Sequence, residues 1–422
     1  MMHYKTYAGK PSVRWVPFLT LLAVLGAAGF APAQETPPGT AVAPPELDSR
    51  AAVLLDAATG AVLFNKNGDD EISPASLTKL MTIHLALQEA AAGNAALDEA
   101  VPLPRESWAI NQPPRSSLMF LAAGQRVTLR ELLLGLAIPS GNDAAVAVAL
   151  RFAPSTEEFA ALMTAEARRM GFVKTSFVEP SGISELNMTT AMEFARFCRE
   201  YVRLHPETLT ELLSVREFAY PKSENVAERY RDKPGTIVQT NHNTLLGTLE
   251  GVDGLKTGYI DEAGYNIALT AERGETRLIA VILGAPAGYG GIRIRDADGT
   301  KLLTWGFEQF KTLRPIVADE PEPQRVWKGK TDSVALTWGE PLVFTTYIDR
   351  GEGLRWEYEY IDPLVAPLPV NSTVGALVLY DNQGELRRIP LVTAGNVEQG
   401  GFFKRFRDSI RLFFRWIFRV RM

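Results

Sequence analysis

Two hydrophobic textures divide the chain. From Ala51 to about Phe310, apolar residues at helical spacing alternate with short strand-like runs. Ala52-Val-Leu-Leu-Asp56 and Gly60-Ala-Val-Leu-Phe64 predict a hairpin with its turn in Asp56–Gly60. Tyr265–Thr270 and Arg277–Leu283 predict two more strands around the turn-forming Glu272-Arg-Gly-Glu275. A helix is predicted from Ser73-Pro74 through Leu87, with Ser as N-cap and Pro in the first helical position. Another begins at Thr128, where Glu131 three residues on makes a capping box, and a third runs from Asp143 through Leu150. From Arg314 to about Val397 no helical period is evident. Strand-like runs (Ser333–Thr337, Leu342–Tyr347, Leu354–Tyr360, Gly375–Tyr380, Glu385–Leu391) are broken by Gly, Pro, Asn and Asp, and Asp381-Asn-Gln-Gly384 reads as a hairpin turn. A small all-β domain is expected there.

The two ends differ from both regions. Residues 1–33 carry Lys5, Lys10 and Arg14 and no acid, followed by an apolar run from Phe18 to Ala31 and the small residues Ala31-Pro-Ala33. This predicts a secretory signal peptide; the apolar run is shorter than the roughly 20 residues a spanning helix needs. The alternative is an uncleaved anchor, and either way the body is expected to be exported. A flexible lead-in is expected over 34–46. In 401–422, Lys404, Asp408, Arg411, Arg415 and Arg419 recur every three or four residues, and nine aromatic or aliphatic residues from Phe402 to Phe418 fill the other faces. Such a helix suits a membrane interface and is too charged to span. Docking on its own protein is the alternative.

Charge sharpens this picture. The chain of 422 residues has a net charge of −5, but 1–33 contribute +3 and 401–422 contribute +6, which leaves −14 for the body. An acidic body with a basic tail does not fit a nucleic-acid binder; it fits a soluble body held at an anionic membrane surface. The single cysteine, Cys198, cannot form an internal disulfide and reads as a helix-packing residue. No metal-ligand spacing and no phosphate-binding loop is evident, so no metal and no cofactor is indicated.

Three short motifs carry chemistry. In Ser76-Leu-Thr-Lys79 the lysine shares a helix face with the serine. A serine hydroxyl needs a base to take its proton, and a lysine becomes one when burial and a second cation lower its pKa. Ser140-Gly-Asn142 interrupts two helical patterns, as an ordinary turn or as a loop aimed into a cleft. Lys256-Thr-Gly258, followed by Tyr259, stands before the strand at Tyr265–Thr270. Its lysine and threonine can bind a carboxylate, and its glycine permits close backbone approach. Each motif alone is weak. In this order, 64 and then 116 residues apart, they form the three-motif set of the penicillin-interacting serine enzymes.

From about Leu47 to its end the chain therefore resembles the low-molecular-mass penicillin-binding proteins that act as D-Ala-D-Ala carboxypeptidases. Ser116–Leu121, Gly141–Ala144, Asn241–Asn243, Val252–Gly258, Asp261–Tyr265 and Leu303–Phe307 also look like family blocks. The resemblance implies an α/β (α+β) catalytic domain of the serine β-lactamase and penicillin-binding kind over 47–312. A linker at 313–323, a small β-rich domain at 324–398 and a membrane-anchoring amphipathic helix at 401–422 would follow. It implies Ser76 as nucleophile and Lys79 as its base. Ser140 would relay a proton and Asn142 would orient the substrate amide and Lys79. Lys256 and Thr257 would hold the terminal carboxylate, Gly258 would let the ligand backbone approach, and the N–H of Tyr259 would join that of Ser76 in an oxyanion hole. The implied substrate is a peptidoglycan stem peptide ending in D-Ala-D-Ala, with β-lactams as inhibitors.

Departures from the pattern are Ile260 for a usual threonine, Pro180–Asn187 without the His-Gly-Leu and later His of many members, and an unusually polar Tyr220–Ile237. A class A β-lactamase is disfavoured: the residue four before Asn187 is Ile183, and Glu185 has the wrong spacing for its Glu-x-x-Leu-Asn signature. A non-catalytic wall-binding module is disfavoured because every named catalytic residue is present. A transpeptidase or endopeptidase on the same scaffold stays open. His84 and His242 are expected to be structural, because a lysine base makes a histidine unnecessary.

Overall fold

The computed structural model of the chain describes residues 42–419 together with the segment Val13–Val16. The expected signal, residues 1–33, lies outside the described residues apart from Val13–Val16, whose backbone pairs in parallel with Arg355–Ile361. The chain divides into two units, Val42–Gln309 and a second that includes everything from Phe310 onward.

The first unit is built on a five-stranded antiparallel sheet. Its strands are β1 (Ala51–Asp56), β2 (Val62–Lys66), β3 (Val252–Ile260), β4 (Gly264–Arg273) and β5 (Thr276–Ala285), in the order β3-β4-β5-β1-β2. The central strands are apolar almost throughout, because both faces of the sheet are covered. Val53 and Leu55 of β1 and Ile279, Val281 and Leu283 of β5 face one core. Leu54 of β1 and Leu278, Ala280 and Ile282 of β5 face the other. This is the two-residue alternation of a strand applied to two cores at once.

The first core is closed by α1 (Lys79–Ala91), α2 (Leu129–Ala137), α3 (Asn142–Phe152), α4 (Thr156–Arg169) and α5 (Ala191–Leu204). The capping box at Thr128 and Glu131 forms as expected. The second core is closed by α6 (Gly291–Gln309) through Leu302 and Leu303. Gly306 lets α6 lie close, since a Cβ there would stand 2.7 Å from Leu54 Cδ2. The expected flexible lead-in is shorter than 34–46. Val42 N donates to Gln309 Oε1 at 3.0 Å and Trp305 Nε1 to Val42 O at 3.1 Å, so the chain is tied to α6 from Val42 on.

Three local expectations change. The helix predicted from Ser73 starts instead with a single 3-10 turn, Ala75–Thr78, and α1 follows from Lys79. The Lys-Thr-Gly motif lies within β3 rather than before a strand, with Gly258 opposite Asn266 of β4. The polar Tyr220–Ile237 stretch connects two short paired strands, Glu217–Tyr220 and Ile237–Thr240.

The second unit is all-β with one terminal helix. Arg355–Ile361, Thr373–Asp381, Gly384–Thr393 and Leu336–Trp338 make its main antiparallel sheet, in that order. Its core gathers Val326, Tyr358, Leu377, Leu379, Ile389 and Leu391. The second unit starts at Phe310, a little before the expected boundary at 312, and residues 314–323 of the expected linker carry no helix or strand. Phe310–Leu313 is already a strand of this unit, paired with Phe344–Tyr347, and the Tyr358 hydroxyl donates to Asp319 O.

Helix α7 (Phe402–Arg419) forms over most of the predicted 401–422 span. One of its faces docks on its own unit, the alternative raised from sequence. The polar stripe docks: Asp408 Oδ2 accepts from Lys328 N at 2.9 Å, Lys404 Nζ lies 2.9 Å from Asp332 Oδ1, and Arg415 makes a two-pronged pair with Asp362. The aromatic face points away: Phe402, Phe403, Phe406, Phe413, Phe414 and Trp416 are all more than half exposed. Among the described residues no helix is long and apolar enough to cross a membrane.

Candidate active site

The 3-10 turn that opens α1 decides the geometry of the first motif. Residues three apart eclipse one another in such a turn, so Lys79 stands directly beside Ser76. Lys79 Nζ lies 3.1 Å from Ser76 Oγ, 2.7 Å from Asn142 Oδ1 and 2.5 Å from Ser181 O. Lys79 is fully buried, and Ser76 is half-buried at the surface of the site. Burial lowers the Lys79 pKa to about 7 against the opposing charges of Glu179 and Asp143. An amine of that pKa is free to accept a proton near neutrality.

The second motif enters from the loop between α2 and α3. Ser140 is buried with a positive φ of 60°, and its Oγ has no hydrogen-bond partner among the described residues. Asn142 opens α3, and its N–H donates to Ser117 O at 2.8 Å. The next residue, Asp143, is fully buried. Its carboxylate accepts from the N–H groups of Met119 (2.8 Å), Leu121 (2.9 Å) and Ala144 (2.9 Å), so it fixes the Ser116–Leu121 segment against the loop.

The third motif comes from β3. Lys256 and Thr257 are buried, and Lys256 Nζ donates to Thr257 O at 3.1 Å. The pKa of Lys256 is driven well below its usual value by burial and then by the charges of Lys79 and Arg295. Gly258 passes against the Ser76 turn, and Tyr259 beyond it is exposed, packed on Tyr265 with ring centres 4.2 Å apart. Asn266 of β4 ties strand to turn: Nδ2 donates to Ser73 O at 2.9 Å and Oδ1 accepts from Gly284 N at 2.8 Å. Hydrogen bonds join Ser76, Lys79 and Asn142, Gly258 packs on the Ser76 turn, and Lys256 lies near enough to feel the charge of Lys79, so the three motifs meet at one edge of the sheet.

Sequence reading missed four contributors. Arg295 of α6 is 4% exposed, and its charge bears on Lys256. The signal was an arginine in helical phase with Gly299 and Leu302, on the face α6 buries. Asp143 and Asn266 had no signal, because their partners lie far away in sequence; Glu179 bonds within its own loop, and its tie to the site appears only where that loop meets Lys79. The histidines behave as expected. His84 is buried among His205 (2.8 Å) and Glu166 (3.0 Å) and bonds to none of the candidate residues named from sequence. Partial burial, then the charges of Lys256, Arg295 and Lys79, lowers His242 to about 4, so it is neutral at pH 7. Cys198 is buried, and burial raises its thiol pKa, as suits a packing residue. Among the described residues no group of three or more metal-ligating side chains is found.

A serine, a buried low-pKa lysine and a second serine converging beneath a cationic strand edge define a serine acyl-transfer site on a penicillin-binding type of fold. Residues 38–287 match the D-alanyl-D-alanine carboxypeptidase family, and residues 310–399 match the C-terminal domain of penicillin-binding protein 5. The chain belongs to this D-alanyl-D-alanine carboxypeptidase family of serine peptidases. It is 36% identical over 381 residues to D-alanyl-D-alanine carboxypeptidase DacC of Escherichia coli, covering 88% of this chain and 90% of that one. Penicillin-binding protein 5 from Haemophilus influenzae superposes with a TM-score of 0.72 at 29% identity, covering 85% of this chain and all of the other. Penicillin-binding protein D2 from Listeria monocytogenes, in its ampicillin-bound form, superposes with a TM-score of 0.52 at 29% identity, over 62% of this chain and 98% of that one.

Proposed function

We propose that this protein removes the terminal D-Ala from peptidoglycan stem pentapeptides through an acyl-enzyme on Ser76. The observation that carries the reading is the Lys79 amine, which is buried, has a pKa of about 7 and lies 3.1 Å from Ser76 Oγ. Ser76 Oγ attacks the penultimate D-Ala carbonyl as its proton passes to Lys79. The oxyanion sits between the N–H groups of Ser76 and Tyr259, and each such donor contributes about 3–4 kcal/mol in comparable sites. Collapse breaks the peptide bond, and the departing amine takes a proton from Lys79 relayed through Ser140. Water then attacks the ester and frees Ser76.

Asn142 orients the peptide amide. Lys256 and Thr257, with Arg295 behind them, bind the free terminal carboxylate, and this confines the enzyme to chain ends. A β-lactam presents the same carbonyl and carboxylate and acylates Ser76 in place of the peptide.

The protein works outside the cytoplasm, brought there by residues 1–33 and held at the membrane surface by α7. The aromatic face of α7 is exposed and ringed by Arg405, Arg407 and Arg411, which suits an interface of apolar chains and anionic headgroups.

The test is D-alanine release from a peptide ending in D-Ala-D-Ala by the intact protein and by Ser76→Ala, alongside labelling by a tagged penicillin. Release and labelling that both vanish in the variant support the reading. Labelling without release in the intact protein refutes the carboxypeptidase assignment and directs attention to transpeptidase or endopeptidase assays.

A further inference from the structure

The Pro180–Asn187 segment departs from the family's pattern, and Glu179 just before it forms the centre of a compact loop. Its Oε2 accepts from Ser181 N at 2.7 Å and Ser181 Oγ at 2.6 Å. Its Oε1 accepts from Gly182 N at 2.6 Å and Asn187 Nδ2 at 2.9 Å. Asn187 Nδ2 also reaches Thr78 Oγ1 at 3.2 Å, on the turn that carries Ser76. Gly182 has φ +81°, and a Cβ there would stand 1.9 Å from Ala75 O, so the loop is wedged against that same turn. The loop is wound around one carboxylate and seated beside the reactive serine.

The consequence falls on Lys79. A neutral amine has two N–H bonds and one lone pair. Two carbonyl-type acceptors, Asn142 Oδ1 and Ser181 O, lie within 2.7 Å of Nζ and take the two N–H bonds. The lone pair is left facing Ser76 Oγ, where a base must point it. Asn142 is held by α3; Ser181 O is held by the loop that Glu179 organises, which α1 also anchors one residue earlier through Thr82 Oγ1 donating to Pro180 O at 2.7 Å.

We propose that Glu179 is a positioning residue for acyl transfer: its carboxylate fixes the Ser181 carbonyl as one of the two acceptors that aim the Lys79 lone pair at Ser76. This rests on the roles given above to Ser76 and Lys79. Glu179 also supplies one of the two carboxylate charges that bear on Lys79, the other being Asp143; the charge of Lys79 in turn lowers the pKa of the neighbouring Lys256. Removing the Glu179 charge therefore favours the free Lys79 amine at lower pH.

The experiment measures the rate of Ser76 acylation by a tagged penicillin across pH for wild type, Glu179→Gln and Glu179→Asp, with melting curves for each. Glu179→Gln can no longer accept at both oxygens and carries no charge. Its plateau rate is expected to fall about tenfold or more, as small misplacements of a base do, and its acid limb to move to lower pH. Glu179→Asp keeps the charge but shortens the reach; its plateau is expected to fall while its limb stays near that of wild type. A wild-type plateau in Glu179→Gln overturns the proposal, and so does a lowered plateau with an unmoved limb, since that is what a merely loosened loop would give. A wild-type protein that Ser76→Ala leaves equally labelled would instead overturn the assignment of the nucleophile, and this proposal with it.

Discussion

Gly258 and Ser76 approach so closely that a Cβ on Gly258 would stand 2.9 Å from the Ser76 amide nitrogen and 2.9 Å from Pro74 O. Backbone on both sides leaves nothing flexible to yield. Gly258→Ala is therefore expected to push β3 away from the turn and spoil the geometry of the Ser76 and Tyr259 N–H groups. Losing one donor of such a pair costs about 10²–10³ in rate. Stopped-flow acylation by a tagged penicillin should show a fall of that order, with a melting temperature lowered by only a few degrees.

The rate of acylation should depend on pH through Lys79. Its pKa in the folded protein is about 7, lowered by burial. The base works only when deprotonated, so the rate should rise as pH increases through about 7 and level off above it. A profile flat from pH 5 to 9 would mean that another group takes the Ser76 proton.

Asp143 holds three backbone N–H groups in a site without water access. Truncating it leaves those donors buried and unpaired, at about 1–3 kcal/mol each. Asp143→Ala should lower stability by several kcal/mol in urea unfolding and slow acylation, because Asn142 is its neighbour in sequence. An unchanged unfolding midpoint would contradict this account.

In the second unit, Arg350 and Asp381 form a buried pair with Nε and Oδ2 2.5 Å apart. Burial opposes the charge on Asp381, but Arg350 and the N–H groups of Gly351 and Gln383 bring its pKa down to about 2. Because that folded pKa lies below the unfolded value, its stabilisation is present above about pH 4 and is lost as pH falls toward 2. Asp381→Ala should cost about 3–5 kcal/mol in the unfolding of this unit near pH 7 and less near pH 2, read by tryptophan fluorescence.

Removing residues 402–422 deletes the exposed aromatic face of α7. The truncated protein should no longer sediment with vesicles containing anionic lipid, yet release D-alanine from a soluble peptide within about twofold of the intact rate, since every residue given a role in the reaction lies within Val42–Gln309. Continued sedimentation would place the membrane contact elsewhere.

Much of this was legible before any coordinates. Strand periodicity located β1, β4 and β5, and Ser76, Lys79, Ser140, Asn142, Lys256 and Thr257 announced themselves by motif. These signals are local: alternation, capping and short spacings are properties of neighbouring residues. The α7 stripe was also visible, as charge recurring at helical spacing.

What folding alone decided is everything that joins distant segments. Ser76 and Lys79 are three residues apart, but Asn142 and Ser181 reach Lys79 from 63 and 102 residues away. Asn266 reaches Ser73 across 193 residues. No window of sequence holds such pairs, so Arg295, Asp143 and Asn266 stayed silent, and the local bonds of Glu179 gave no hint that its loop reaches Lys79. The second unit starts earlier than expected for the same reason, because Phe310–Leu313 finds its partner strand only at Phe344–Tyr347. The direction of α7 was likewise settled by the β domain, whose Asp362 and Lys328 backbone bind the charged stripe and leave the aromatic rings outward. Sequence by itself determined which chemistry this protein carries; tertiary packing determined its working state, because burial of Lys79 and the acceptors around it turn an ordinary ammonium into a base.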